Sequence, residues 1–247
     1  MKKQISFYMN KIEVLLVSID EAFNKLQFEF ERHIYRIGNK TLPSVSSMIK
    51  KHVEPFDEIY WANKVAAKRK CSVGEVLKEW EDKRVKSTTN GTSVHLFAER
   101  WWEDKTKIPT TIQEQGLEKF LKYITEEKQY ELVCTELQMY SKKYNYAGTC
   151  DLLVYDPIND KVILLDYKTN FELDKQYNYL LEPFNYLPDS QSNKYQIQLS
   201  YYQIMLEEAG IKVDERYVVW LKHNGEYELR YCNDFTDVLK NYLDESN

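Results

Sequence analysis

The sequence is poor in the residues that mark several protein classes. It has only 7 glycines and 6 prolines in 247 residues, against 43% hydrophobic and 30% charged side chains. That balance excludes collagen-like and low-complexity chains and fits a helix-rich soluble domain. No Gly/Ser linker divides it, so 41–247 reads as a single domain behind a weakly patterned N-terminal arm, 1–40. The four cysteines, Cys71, Cys134, Cys150 and Cys232, are scattered and form no CxxC pair. This argues against a zinc ribbon or an iron–sulfur cluster and suits reduced thiols in a cytosolic compartment. A long uninterrupted apolar run is also missing. Glu13 and Asp20 break the stretch that follows the basic start, which argues against export or membrane insertion and leaves a cytoplasmic protein as the expectation. Excess positive charge is absent: the formal net charge is -5, so attraction to nucleic acid requires a local basic face. "KVAAKRK" (64–70) and "EDKRVK" (81–86) are candidates, and a solvated helix face explains either one equally well.

Patterning along the chain gives an α/β arrangement. Residues 5–30 fit either a helix or a strand pair. "LPSVSSMIKKHVEPFDEIYWANKVAAKRK" (42–70) reads as a turn and two short helices broken near Pro55. Ser72 and Glu75 have capping-box spacing and open a helix through "VGEVLKEWEDKR". A separate helix begins near "GTSVHLFAERWWED", and a third follows Thr111, where Glu114 completes another box. From residue 131 the period changes to strands: "ELVCTELQMY", "YAGTCDLLVY" and "KVILLDYK", separated by "SKKYN" and "DPIND", predict an antiparallel meander. An irregular, Tyr-rich stretch (171–194) leads to the helix "YQIQLSYYQIMLEEAG" with Gly210 as its stop. Two strands, "RYVVWLK" and "YELRYC", and a helix, "DFTDVLKNYL", complete the chain.

What is present inside that meander is unexpected for a core sheet, because Asp151, Asp166 and Lys168 sit within its apolar stretches. Burying one such charge unpaired costs several kcal/mol, roughly the effective penalty for ions in proteins. A four-residue "DPIND" loop pairs Tyr155 with Val162 and Val154 with Ile163, and so sets Asp151 opposite Asp166. The same loop length in the preceding hairpin sets Glu136 opposite Asp151, both intervals being fifteen residues. Three carboxylates then stand side by side, which destabilises a sheet. Lys168 shares a face with Asp166 and neutralises one of them. A hard divalent cation, Mg2+ or Mn2+, is the simplest partner for the rest. Taken singly, each acid reads equally well as a solvated strand end.

At these residues the sequence resembles the PD-(D/E)XK nuclease superfamily, in its RecB-like branch with the phage exonucleases and the mitochondrial genome maintenance exonuclease. The match is to "AGTCDLL" (147–153) followed by "LLDYKTN" (164–170), with "GTSVH" (91–95) upstream and a Q-x-x-x-Y pattern in "QLSYY" (198–202) downstream. The resemblance implies a restriction-endonuclease-like core, a mixed sheet whose meander carries the active site between flanking helices. It implies Asp151, Asp166, His95 and the Tyr167 carbonyl as metal ligands, Lys168 as the residue that positions or activates water, and Glu136 as an additional acid. Gln198 and Tyr202 take the place of residues beside the active site that meet nucleic acid. The chain departs from the family in having Asp166 where Glu is commoner, and in lacking the cysteines of the iron–sulfur members. The activity implied is Mg2+- or Mn2+-dependent hydrolysis of DNA, by an exonuclease acting on ends or single strands in replication, recombination or repair.

Each residue also has a plainer reading. His95 lies off the apolar face made by Val94, Phe97, Ala98 and Trp101, where a histidine is more often a surface residue, and Glu99 one turn on is a candidate second partner for its ring. Ile197, Tyr201 and Ile204 read as the core stripe beside Gln198 and Tyr202. Trp101, Trp102, Tyr177, Tyr179, Phe184 and Tyr186 are candidates for base stacking, with buried packing as their default. An endonuclease of the same fold, a silent nucleic-acid-binding module and a sugar hydrolase using Glu136 and Asp151 are the alternatives.

Overall fold

The computed structural model describes residues 10–246. Its centre is a five-stranded mixed sheet of β4 (Glu131–Tyr140), β5 (Ala147–Asp156), β6 (Lys161–Lys168), β7 (Glu215–Leu221) and β8 (Tyr227–Tyr231), hydrogen-bonded in that order. Strands β4, β5 and β6 form the expected antiparallel meander, β6 and β7 run parallel, and β8 returns antiparallel. The turn chemistry explains the second hairpin. Asp156 accepts hydrogen bonds from the N–H groups of Ile158 and Asn159, and Asp160 takes a left-handed φ of 51°, closing a four-residue loop between Asp156 and Lys161. The register follows: Tyr155 pairs with Val162 and Val154 with Ile163.

Parallel neighbours need a crossover. Here it consists of residues 169–190 and the helix α6 (Gln191–Glu208). Ser190 caps α6, and the helix ends through Ala209 into Gly210, whose φ of +78° suits glycine. His52 fastens the irregular part of the crossover: it accepts the Leu181 N–H, donates from Nδ1 to the Glu182 carbonyl, and takes the Tyr201 hydroxyl on Nε2. Ile197, Tyr201 and Ile204 are buried, as the stripe predicts.

One face of the sheet packs against α6, α1 (Lys11–Phe23), α2 (Val45–Lys50) and α7 (Thr236–Glu245). The other face packs against α5 (Ile112–Lys122) and the C-terminal half of α4 (Val73–Glu103). Both faces of β5 and β6 are therefore covered, which explains their near-continuous apolar character.

Two readings of the sequence change. First, of the stretch 5–30, residues 5–9 lie outside the described residues and the rest contains a helix and then a strand rather than one or the other. Helix α1 buries Leu15, Ile19, Ala22 and Phe23 in the main core, and β1 (Gln27–Glu29), β2 (Ile34–Ile37) and β3 (Lys40–Leu42) make a small antiparallel sheet. Second, the two helices expected between 72 and 104 are one 31-residue helix, α4. A separate helix is expected from the sequence to begin near Gly91. Instead, Thr88, Thr89 and Thr92 return their hydroxyls to the carbonyls four residues earlier, and tertiary packing outweighs the roughly 1 kcal/mol cost of Gly91. Both expected capping boxes, Ser72/Glu75 and Thr111/Glu114, are formed, and α3 (Glu58–Arg69) pairs with the N-terminal half of α4 beyond Pro55.

Candidate functional site

The meander opens into a cleft of about 360 Å³ whose lining includes His95, Glu136, Asp151, Asp166, Lys168, Gln198 and Tyr202. Strand β5 brings Asp151, strand β6 brings Asp166 and Lys168, α4 brings His95, and α6 brings Gln198 and Tyr202. Close approach of these layers depends on Gly148. A Cβ there would lie 2.7 Å from the Tyr202 ring and 3.0 Å from Val45.

The sheet holds the acids by departing from regular geometry. The β5–β6 ladder runs to Leu152 and Leu165, one step short of Asp151 and Asp166. Beyond it, the Tyr167 N–H donates to Asp151 Oδ2 at 2.6 Å, so a side chain stands in for a ladder bond. In β4, Thr135 pairs with Leu152 and Leu137 with Cys150, leaving Glu136 between them at the position opposite Asp151. Glu136 adopts a left-handed φ of 46°, uncommon for a residue with a side chain, and a register shift lies between Leu132 and Cys134. The distortion aims its carboxylate at α4. His95 Nδ1 lies 2.8 Å from Glu136 Oε1 and 3.5 Å from Asp151 Oδ1.

His95, Glu136 and Asp151 present ligand atoms within 4.8 Å of one another. Asp166, expected among these ligands, lines the same cleft and forms an ion pair through Oδ2 with Lys168, and its Oδ1 lies 3.5 Å from the Gln198 amide. Tyr167 donates its backbone N–H to Asp151. Gln198 also donates to the Tyr202 hydroxyl at 2.7 Å. The partner of His95 is Glu136 from the neighbouring strand rather than Glu99.

Electrostatics follow from this burial. Asp151 and Asp166 are 5% and 1% exposed. Burial raises the pKa of Asp151, with Glu136 adding to it and His95 and Lys168 opposing. Burial and the nearby Asp151 push Asp166 up to about 6 despite Lys168. For His95 burial works against the charged ring, yet Asp151 and Glu136 prevail and raise it to about 9. Burial likewise opposes the Lys168 ammonium, and Asp166 and Asp151 more than reverse this, holding its pKa above the ordinary lysine value. The acids of the cleft thus favour the charged forms of His95 and Lys168.

Other candidates separate by exposure. Trp101 and Phe184 are core residues, whereas Tyr177, Tyr179 and Tyr186 are exposed. Within the two basic stretches, Arg69 and Lys83 pair with Glu79, and Arg84 pairs with Glu58 and Glu81. The sequence reading missed the opposite wall of the cleft, built by Phe30, His33, Tyr35, Ser44 and Ser46. Its signal was the alternating "QFEFERHIYRI" (27–37), a period-two aromatic pattern typical of paired strands. Also missed was the fastening of α4 to α5: Glu114 accepts the Ser93 hydroxyl, two residues before His95, along with the N–H groups of Thr110 and Thr111.

No family model and no curated protein matches the chain. Among the described residues, no helix is long and apolar enough to cross a membrane.

Proposed function

We propose that this cleft is the active site of a metal-dependent deoxyribonuclease, an exonuclease acting on DNA ends or single strands, built on a restriction-endonuclease-like core. The observation that carries the reading is the convergence of His95, Glu136 and Asp151 beside the buried Asp166–Lys168 pair in one cleft. The antiparallel meander, the parallel fourth strand and a crossover helix that delivers Gln198 and Tyr202 support the fold assignment.

Two carboxylates and an imidazole fit a hard divalent cation, Mg2+ or Mn2+. The demand for positive charge is already met in part by His95, held protonated by its two acidic neighbours, and ligation requires that ring to release its proton. When bound, the cation supplies Lewis acidity toward a phosphate oxygen and lowers the pKa of a water. Lys168, kept charged by Asp166 and Asp151, stabilises negative charge developing on the phosphate and orients the attacking water. Its ammonium serves there as a hydrogen-bond donor to the phosphate and the water. Asp166 positions that ammonium, and Gln198 links Asp166 to Tyr202 on α6.

A time course of purified protein on linear, end-blocked and circular DNA tests this. With Mg2+ or Mn2+, linear DNA is degraded, circular DNA survives, and EDTA stops the reaction. Cleavage of circular DNA would make the protein an endonuclease of the same fold. Absence of any cleavage, or cleavage undiminished by EDTA, would overturn the proposal.

A further inference from the structure

We infer that the aromatic hairpin of β1, the turn Phe30–Arg32 and β2 seats one unpaired nucleobase, with Phe30 as the stacking face, while the attached phosphate lies over Asp151 and Lys168. The inference rests on the nucleic-acid reading above for the class of its ligand. Phe30 is 75% exposed, yet it lines the same cleft as the acids and Lys168.

The ring has a built support. Phe28 meets Phe30 edge-on at 6.3 Å and stacks on Tyr35 at 4.6 Å, and His33 stands edge-on to both Phe28 and Tyr35 at 5.2 and 5.4 Å. Left-handed backbone at His33 closes the turn, with its N–H donating to the Phe30 carbonyl. Tyr35 then ties this stack to the sheet through a 2.9 Å hydrogen bond between its hydroxyl and that of Thr149. Thr149 precedes Asp151 by two residues on β5 and therefore shares its face, about 7 Å away by strand geometry.

Charge decides between base and phosphate as the group that meets the hairpin. Arg32 and Arg36 both pair with Glu29, at 3.2 and 3.8 Å, and Glu31 beside them brings the formal charge of 27–37 to zero, so the hairpin carries no net positive charge for a phosphate. What it offers the cleft is an aromatic face, which suits a base of any identity. A nucleotide carries the complementary pair of groups, a flat apolar ring for the hairpin and an anion for the Lys168 ammonium. The cleft volume of about 360 Å³ lies at the small-ligand end of the range for binding sites.

The test is fluorescence anisotropy in Ca2+ buffer, using a labelled oligothymidylate and the same backbone with abasic residues. Wild-type protein should prefer the oligothymidylate by on the order of tenfold, as expected for one base–aromatic stack. Phe30→Ala should weaken binding of the oligothymidylate by about the same factor and erase the preference, while Phe30→Trp should preserve both. The exposed ring contributes little packing, so an unchanged melting temperature confirms that Phe30→Ala is folded. Equal oligothymidylate binding by wild type and Phe30→Ala, a preference that survives the substitution, or no binding by wild type would each overturn the inference. Failure of the nuclease proposal shows separately, as absence of cutting by wild type, because the base preference is read from binding alone.

Discussion

Replacing Lys168 by alanine is expected to slow DNA cleavage by about two to three orders of magnitude, the usual effect of removing one preorganised donor, while DNA binding persists. The ammonium is held charged within a site that is largely shielded from water, where its interaction with developing negative charge is strong. Truncation leaves Asp166 buried without its cation, a change that would unfold many proteins. Here the carboxyl is already pushed up to about 6, so it takes up a proton at little cost and the fold survives. Single-turnover cleavage beside an anisotropy titration separates the two effects. Full activity in this variant would remove Lys168 from the mechanism.

Asp151→Asn should abolish detectable cleavage and weaken Mn2+ binding by more than about 100-fold, since even groups that merely orient a metal ligand account for 10–100-fold. Asparagine keeps the shape and still accepts the Tyr167 N–H, so the local β5–β6 connection remains. It removes a buried charge whose pKa burial has raised, and the melting temperature should therefore stay level or rise. Loss of function with retained stability marks a binding role rather than a structural one. An unchanged calorimetric Mn2+ isotherm would count against ligation by Asp151.

Much of this site was legible from spacing. Two fifteen-residue intervals and a period of two are enough to set Glu136, Asp151 and Asp166 across three strands; the ladder of Tyr155 with Val162 agrees with that count, while the β4–β5 connection, 141–146, is six residues long rather than four. The same period puts Lys168 on the face of Asp166, where the two form their ion pair. Spacing could not reveal the left-handed backbone of Glu136, because no glycine or asparagine marks it. Its side chain meets a partner 41 residues earlier, His95. Glu136 stands with Asp151 in the group around His95.

The fold shows the same division. Capping boxes at Ser72 and Thr111 act within one turn and were readable, whereas continuity of α4 through Gly91 depends on packing against α5 and the sheet. The role of residues 27–37 was hidden for a related reason. Its strands are only three and four residues long, and the contact that gives them meaning, Tyr35 to Thr149, spans 114 residues of sequence.

The most direct measurement is a calorimetric titration of wild-type protein with Mn2+ at pH 7.5 in two buffers of different ionisation heat. If His95, Glu136 and Asp151 hold the cation, the apparent enthalpy depends on the buffer with about one proton released, because the imidazole near pKa 9 must lose its proton to ligate, and affinity rises with pH toward that value. Binding without proton release, or no saturable binding at all, would contradict the account.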